Sequence, residues 1–145
     1  GEFYHNTGEG GLSPYHLQGG DVVWNIGTGY FSCRTDEGKF NYDEFVKRAT
    51  LDNVKMIEIK FSQGAKPGHG GILPKEKVTD EIAEIRLVSK GKDILSPPTH
   101  SAFSTPLELM DFVKLLRKGS GGKPIGIKIC IGNKTEFIAI CKAIV

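Results

Sequence analysis

Between Lys60 and Pro74 the chain reads KFSQGAKPGHGGILP, setting two lysines, a glutamine and a histidine among four glycines and two prolines. Glycine lets a backbone approach a planar or anionic ligand closely, and two neighbouring cations favour a carboxylate or a phosphate. The segment directly follows a strand-like run, VKMIEIKF. A long ordered connection at the carboxyl end of a buried strand is more often a binding loop than a spacer. Further polar residues hold similar positions: Glu9 in NTGEGG, the SPPTH run, and Lys128 in GIKIC. Ligands of parallel α/β folds sit at the carboxyl ends of the strands. Glu9, Lys60, Gln63, Lys66 and Lys128 are therefore expected to converge on one face.

Other reactive residue types carry less. His69 and His100 lie in loops near prolines and read as surface groups. Cys33, Cys130 and Cys141 are odd in number and form no C-x-x-C pair, which argues against a disulfide framework or a zinc site. They read as small apolar core residues in a reducing, cytoplasmic setting. No P-loop, G-x-G-x-x-G, G-x-S-x-G or H-E-x-x-H signature is present. Spacing alone leads to an α/β site for an anion.

The elements that must position these residues alternate in period. NYDEFVKRA opens a short helix on Asn41, with Glu44 completing a capping box. VKMIEIKF reads as a buried strand, and TDEIAEIR as a helix capped by Thr79 with Ile82 and Ile85 on one face. DILS is a short strand leading into PPTHSAFS, a loop that two prolines hold extended. In STPLELMDFVKLLRKG, Thr105 caps, Pro106 takes the first helical position and Glu108 closes the box. Leu109, Phe112, Val113 and Leu116 form its apolar stripe. PIGIKICIG is a strand, and a last helix starts at Thr135. The first forty residues add one strand, DVVWNIG.

About four β/α units follow, which is α/β architecture with parallel strands. Residues 1–145 begin inside a glycine-rich loop and stop in mid-helix. One expectation is therefore a partial (β/α)8 TIM barrel, since a whole barrel takes about 250 residues. The alternative is a complete small doubly wound sheet acting as a non-catalytic anion-binding module.

The charge balance, 19 basic against 17 acidic residues for a net of +2, gives no footprint for nucleic acid. No membrane span and no signal peptide are visible.

Taken in order, NTGEGG, IEIKFSQGAKPGHGGILP, KVTDEIAEIR, ILSPPTHSAFSTPLELMDFVKLLR and GKPIGIKICIG resemble the FMN-binding domain of glutamate synthases. The stand-alone glutamate synthase-related proteins are more similar still. The resemblance implies an FMN-dependent (β/α)8 barrel in which 2-oxoglutarate takes ammonia and the resulting imine is reduced to glutamate. By motif match it places Glu9, Lys60, Gln63, Lys66 and Arg86 at the oxo acid, with cations pairing its carboxylates. Lys128 falls near the flavin ring. The sequence departs from the family at Ile72, where glutamine is frequent, and at Tyr30, where arginine stands. As part of a barrel, the segment by itself is expected to be inactive, to lack tightly held FMN, and to form a homo-oligomer through its open sheet edges.

Overall fold

Val22–Ile26 is a run of β-branched and aromatic residues with one asparagine, and every one of its side chains is buried. It forms a central strand of the computed structural model, which describes residues 3–66 and 68–145. Pro67, part of the QGAKPG motif, lies outside the described residues. The strands are β1 (His5–Asn6), β2 (Val22–Ile26), β3 (Val54–Lys60), β4 (Gly71–Leu73), β5 (Ile94–Ser96) and β6 (Ile125–Lys128). The helices are α1 (Tyr42–Ala49), α2 (Asp80–Arg86), α3 (Pro106–Gly119) and α4 (Lys134–Ile144).

β1, β2, β3 and β6 form one parallel sheet in that spatial order. Neighbours thus follow chain order without reversal. Trp24 pairs with Ile57 and Ile26 with Ile59, while Ile57 and Ile59 pair onward with Ile125 and Ile127. Because strand side chains alternate, this set lies on one face. There it packs against Phe45 of α1 and Leu109, Phe112 and Leu116 of α3, forming the main core. Burying such a side chain contributes about 1.5–3 kcal/mol, so this layer holds the sheet to its helices.

The same alternation leaves a polar opposite face. Asn25 pairs with Glu58 and Lys60 with Lys128. The amides of Asn25 and Asn6 both donate to Oε2 of Glu58, the latter at 3.0 Å. β3 is therefore buried chiefly on its helix side, where the sequence suggested a strand buried throughout.

α3 matches its sequence cues closely. Thr105 Oγ1 accepts from the Glu108 amide at 3.2 Å, and the Glu108 carboxylate accepts from the Thr105 amide at 3.0 Å. Such a cap contributes about 1 kcal/mol. α1 closes only half of its expected box: Asn41 accepts from the Glu44 amide at 3.1 Å, but the Glu44 carboxylate turns to Lys47 and Arg48. α4 is capped by Asn133 and starts one residue earlier than expected.

The larger departure concerns Ile94–Ser96. It is a strand, but it pairs antiparallel with β4 in a separate ribbon, not in the parallel sheet. Ile94 packs with Phe31 and Val78 in a small second core beside Ile82 of α2. With three residues to a strand, the ribbon gains enough burial only by leaning on α2. No helix among the described residues is long and apolar enough to cross a membrane.

Candidate functional site

Lys60 is the last residue of β3, and its side chain leaves the sheet on the polar face. Its ammonium pairs with the Glu9 carboxylate and donates to Gln63 Oε1 at 3.2 Å. Gln63 Nε2 in turn donates to the other Glu9 oxygen at 2.6 Å, closing a ring of three side chains. An ammonium carries three donors, so the ring leaves Lys60 one N–H for a further acceptor. Burial alone would raise the Glu9 pKa. The hydrogen bonds from Lys60 and Gln63, together with the charges of Lys60 and Lys128, outweigh that and hold it below the usual carboxylate range. Glu9 is thus an anion at neutral pH.

Lys128 ends β6 in register with Lys60. Adjacent strands lie about 4.8 Å apart, so these two cations share one patch of surface and repel. Glu9 relieves part of that repulsion. A bound anion would relieve more.

The turn that carries Glu9 is held by a buried hydroxyl. Ser32 Oγ accepts from the Leu12 amide at 2.9 Å and donates to the Ile85 carbonyl at 2.6 Å. It thereby ties the glycine-rich turn to the last turn of α2. Gly11, with φ +95°, sits so close that a Cβ there would meet Ser32 Oγ at 2.3 Å. This tie also places Arg86, whose guanidinium stacks 4.9 Å from the centre of the Phe31 ring. Burial lowers the Arg86 pKa, opposed by the charge of Glu9.

Glu9 and Arg86 line a cavity of about 270 Å³ against the ribbon. A second cavity, about 720 Å³, is lined by Lys66, His69, Pro97 and Pro98 and shares Gly71, Ile72 and Ser96 with the first. The structure therefore joins Glu9, Lys60 and Gln63 directly and sets Lys128 and Arg86 in electrostatic reach of Glu9. Lys66 lies across the ribbon, exposed, its side chain making no hydrogen bond with the described residues.

Some residues are not where the sequence put them. His100 is 6% exposed, not a surface group: its ring bonds Tyr30 Oη at 2.9 Å and the Lys60 carbonyl at 2.8 Å. A lone histidine in a polar loop has no periodicity to betray burial. Cys33 is buried, its thiol pKa pushed up by desolvation, but Cys130 and Cys141 are exposed because β6 ends at Lys128 and α4 shows that side to solvent. Asn25 and Glu58 share the site's face of the sheet without being among the residues expected there. The alternation within VVWNI and VKMIEIK was the signal that set them on the polar face beside Lys60.

The chain is an α/β protein that gathers a carboxylate, an amide and two lysines at the carboxyl ends of neighbouring parallel strands, where such folds place their ligands. The sequence model of the conserved region in glutamate synthase matches residues 2–144, and the chain belongs to that family. It is 45% identical over 138 residues to the glutamate synthase large subunit-like protein YerD of Bacillus subtilis, a match covering 94% of this chain and 26% of that protein. It is 36% identical over 139 residues to an archaeal-type glutamate synthase [NADPH] of Thermotoga maritima, covering 94% of this chain and 25% of that protein. A ferredoxin-dependent glutamate synthase of Cyanidium caldarium is 37% identical over 95 residues, which is 64% of this chain and 6% of that protein. The chain spans about a quarter of the length of the first two relatives.

Proposed function

We propose that residues 1–145 supply the oxo-acid side of a glutamate synthase-like flavin oxidoreductase that converts 2-oxoglutarate to glutamate. The observation that carries this is the Glu9–Lys60–Gln63 ring beside Lys128, at the carboxyl ends of adjacent parallel strands. A sheet whose strands follow chain order without reversal supports a partial (β/α)8 barrel over a doubly wound sheet, which turns back at a switch point.

In this reading the free donor of Lys60 takes one carboxylate or the keto oxygen of the oxo acid, and Gln63 fixes its orientation by hydrogen bonding. Arg86 and Lys66, on either side of the ribbon, pair the remaining carboxylate charge. Glu9 holds the Lys60 ammonium in place before substrate arrives, and its anionic oxygen is suited to hold ammonia or the iminium nitrogen. The polar face also fits a flavin: Lys128 is an exposed cation in register with Lys60, and Asn25 Oδ1 on the same face is buried with no hydrogen-bond partner among the described residues. FMN, when bound, supplies the hydride that reduces the imine. Three free thiols accord with a reducing, cytoplasmic setting.

The segment alone is read as inactive. The test is a visible spectrum of the full-length protein purified under native conditions, followed by titration with 2-oxoglutarate. A flavin band perturbed by the oxo acid is the expected result, and a colourless protein would end the proposal.

A further inference from the structure

β2 ends at Ile26, whose register partner is Ile59, so the sheet offers no β2 residue opposite Lys60. The carbonyl of Lys60 nevertheless has a donor. His100 Nε2 lies 2.8 Å away, and a carbonyl only accepts, so this nitrogen carries the proton. His100 Nδ1 is then the acceptor, and Tyr30 Oη, 2.9 Å away, must donate to it. The same hydroxyl accepts from the Ala102 amide at 3.1 Å. One directed chain therefore runs from the 97–104 loop through Tyr30 and His100 to the backbone of the site lysine.

The pair is rigidly housed. Tyr30 is fully buried, and His100 stacks on Phe103 with ring centres 4.8 Å apart. Tyr30 has φ +49° and Ser32 φ +70°, left-handed values that bulky L-residues avoid. Such conformations persist where surrounding contacts over-determine them, and they gather at functional sites. Here Tyr30 spends its hydroxyl on His100 and the loop, and Ser32 spends its own on the Glu9 turn and α2. The loop after β2 reaches the site through Phe31, which stacks under Arg86, and through Tyr30 and Ser32 it also braces the backbone behind Lys60 and the turn that carries Glu9.

We propose that His100 and Tyr30 are positioning residues for Lys60: they fix the end of β3 so that the lysine meets an oxo-acid carboxylate at a set height above the sheet. This rests on the reading that Lys60 contacts the oxo acid. It also gives a role to the departure at Tyr30, whose side chain faces the helix-side core and not the ligand.

The experiment uses the full-length protein with 2-oxoglutarate as the probe, comparing Tyr30→Phe, His100→Leu, His100→Gln and Lys60→Met, with His100→Leu also made in the Lys60→Met background. Tyr30→Phe keeps the ring and removes only the hydroxyl, so it should fold and still raise the 2-oxoglutarate Kd severalfold. His100→Leu should raise it about tenfold, and His100→Gln, which restores a donor to the carbonyl, should recover most of that loss. In the Lys60→Met background His100→Leu should cost nothing further, because its effect acts through that lysine. A merely structural role would instead give additive losses and no rescue by glutamine, and that result overturns the proposal. If Lys60→Met itself leaves the 2-oxoglutarate Kd unchanged, the site reading fails and the positioning role falls with it. Additive losses beside a strong Lys60→Met effect sink the positioning role alone.

Discussion

Substituting alanine for Gly70 strikes the joint between the binding loop and the ribbon. A Cβ built on Gly70 lands 1.9 Å from the carbonyl oxygen of Ser96 and 3.2 Å from the carbonyl carbon of Pro97. These are backbone atoms, so no side-chain rotation removes the overlap. β4 or β5 must retreat by roughly 1 Å or more, which takes ladder hydrogen bonds out of their working range. The ribbon pairs only three residues per strand, Gly71–Leu73 against Ile94–Ser96. Losing two of its bonds at about 1 kcal/mol each makes local opening about 2 kcal/mol easier, roughly a thirtyfold change. The main core of Trp24, Phe45, Ile57 and Leu109 excludes the ribbon, so the melting temperature should fall by no more than about 2–4 °C. Amide hydrogen exchange is the assay: residues 71–73 and 94–96 should exchange about thirtyfold faster, while β2 and β3 stay protected. In the full-length protein 2-oxoglutarate should also bind more weakly, since Lys66 and Arg86 flank this ribbon. Unchanged exchange in Gly70→Ala would refute the reasoning, because it would mean that the ribbon tolerates the overlap without opening.

Lys66→Ala in the full-length protein should weaken 2-oxoglutarate binding by about 1.5–3 kcal/mol and leave the flavin content unchanged; a loss of thermal stability with affinity intact would show that Lys66 only braces its loop. Stability depends on pH in two windows. Burial lowers the His100 pKa, so below the ordinary value of 6.5 the unfolded chain takes up a proton that the folded one refuses, and stability falls with falling pH. His16 shifts in the same direction, so comparison of chemical denaturation curves with those of His100→Gln isolates the His100 share, and identical slopes would count against its burial as a neutral ring. Glu9 is held below 4.5, so its contribution is full above that pH and is lost as pH falls through its folded value; Glu9→Gln should flatten this acid limb. Residues 1–145 expressed alone should self-associate at micromolar concentration, because the described sheet has open edges at β1 and β6 and α4 exposes Ile138 and Ile144. Light scattering from a stable monomer, with unfolding independent of concentration, would contradict this.

The parts legible in the sequence are those in which local chemistry and tertiary packing agree. α3 could be read almost to the residue because Thr105, Pro106 and Glu108 act within one turn, and its stripe has no competing period. β2 and β3 were visible as β-branched runs. β5 was visible as the strand DILS, but its ribbon was not, since three residues between a glycine and a proline give β4 no period and it exists only through its pairing with Ile94–Ser96. Of the candidate site, Glu9, Lys60 and Gln63 came from loop position and resemblance, and they do meet. The supports were hidden: Tyr30, Ser32 and His100 act across 20 to 72 residues of chain, a separation that no local pattern records.

β3 and β6 pair directly, although residues 61–104, with the ribbon and α2, intervene in the chain before α3. The sheet closes its ladder as though that stretch were not there. Residues 61–104 are therefore a cassette, inserted at one strand end and fastened by Ser32 and His100. The Ile57–Ile125 and Ile59–Ile127 pairs set the sheet register without it, whereas the end of β3 leans on it through His100 and the main core through Phe61 and Phe103. Lys60, Glu9 and Lys128 stand outside it and form a fixed platform. Gln63, Lys66, Ile72 and Arg86 travel with it. On the proposed reading of an oxo-acid site, substitutions in the cassette should therefore change which acid is preferred, whereas substitutions on the platform should weaken the binding of all of them.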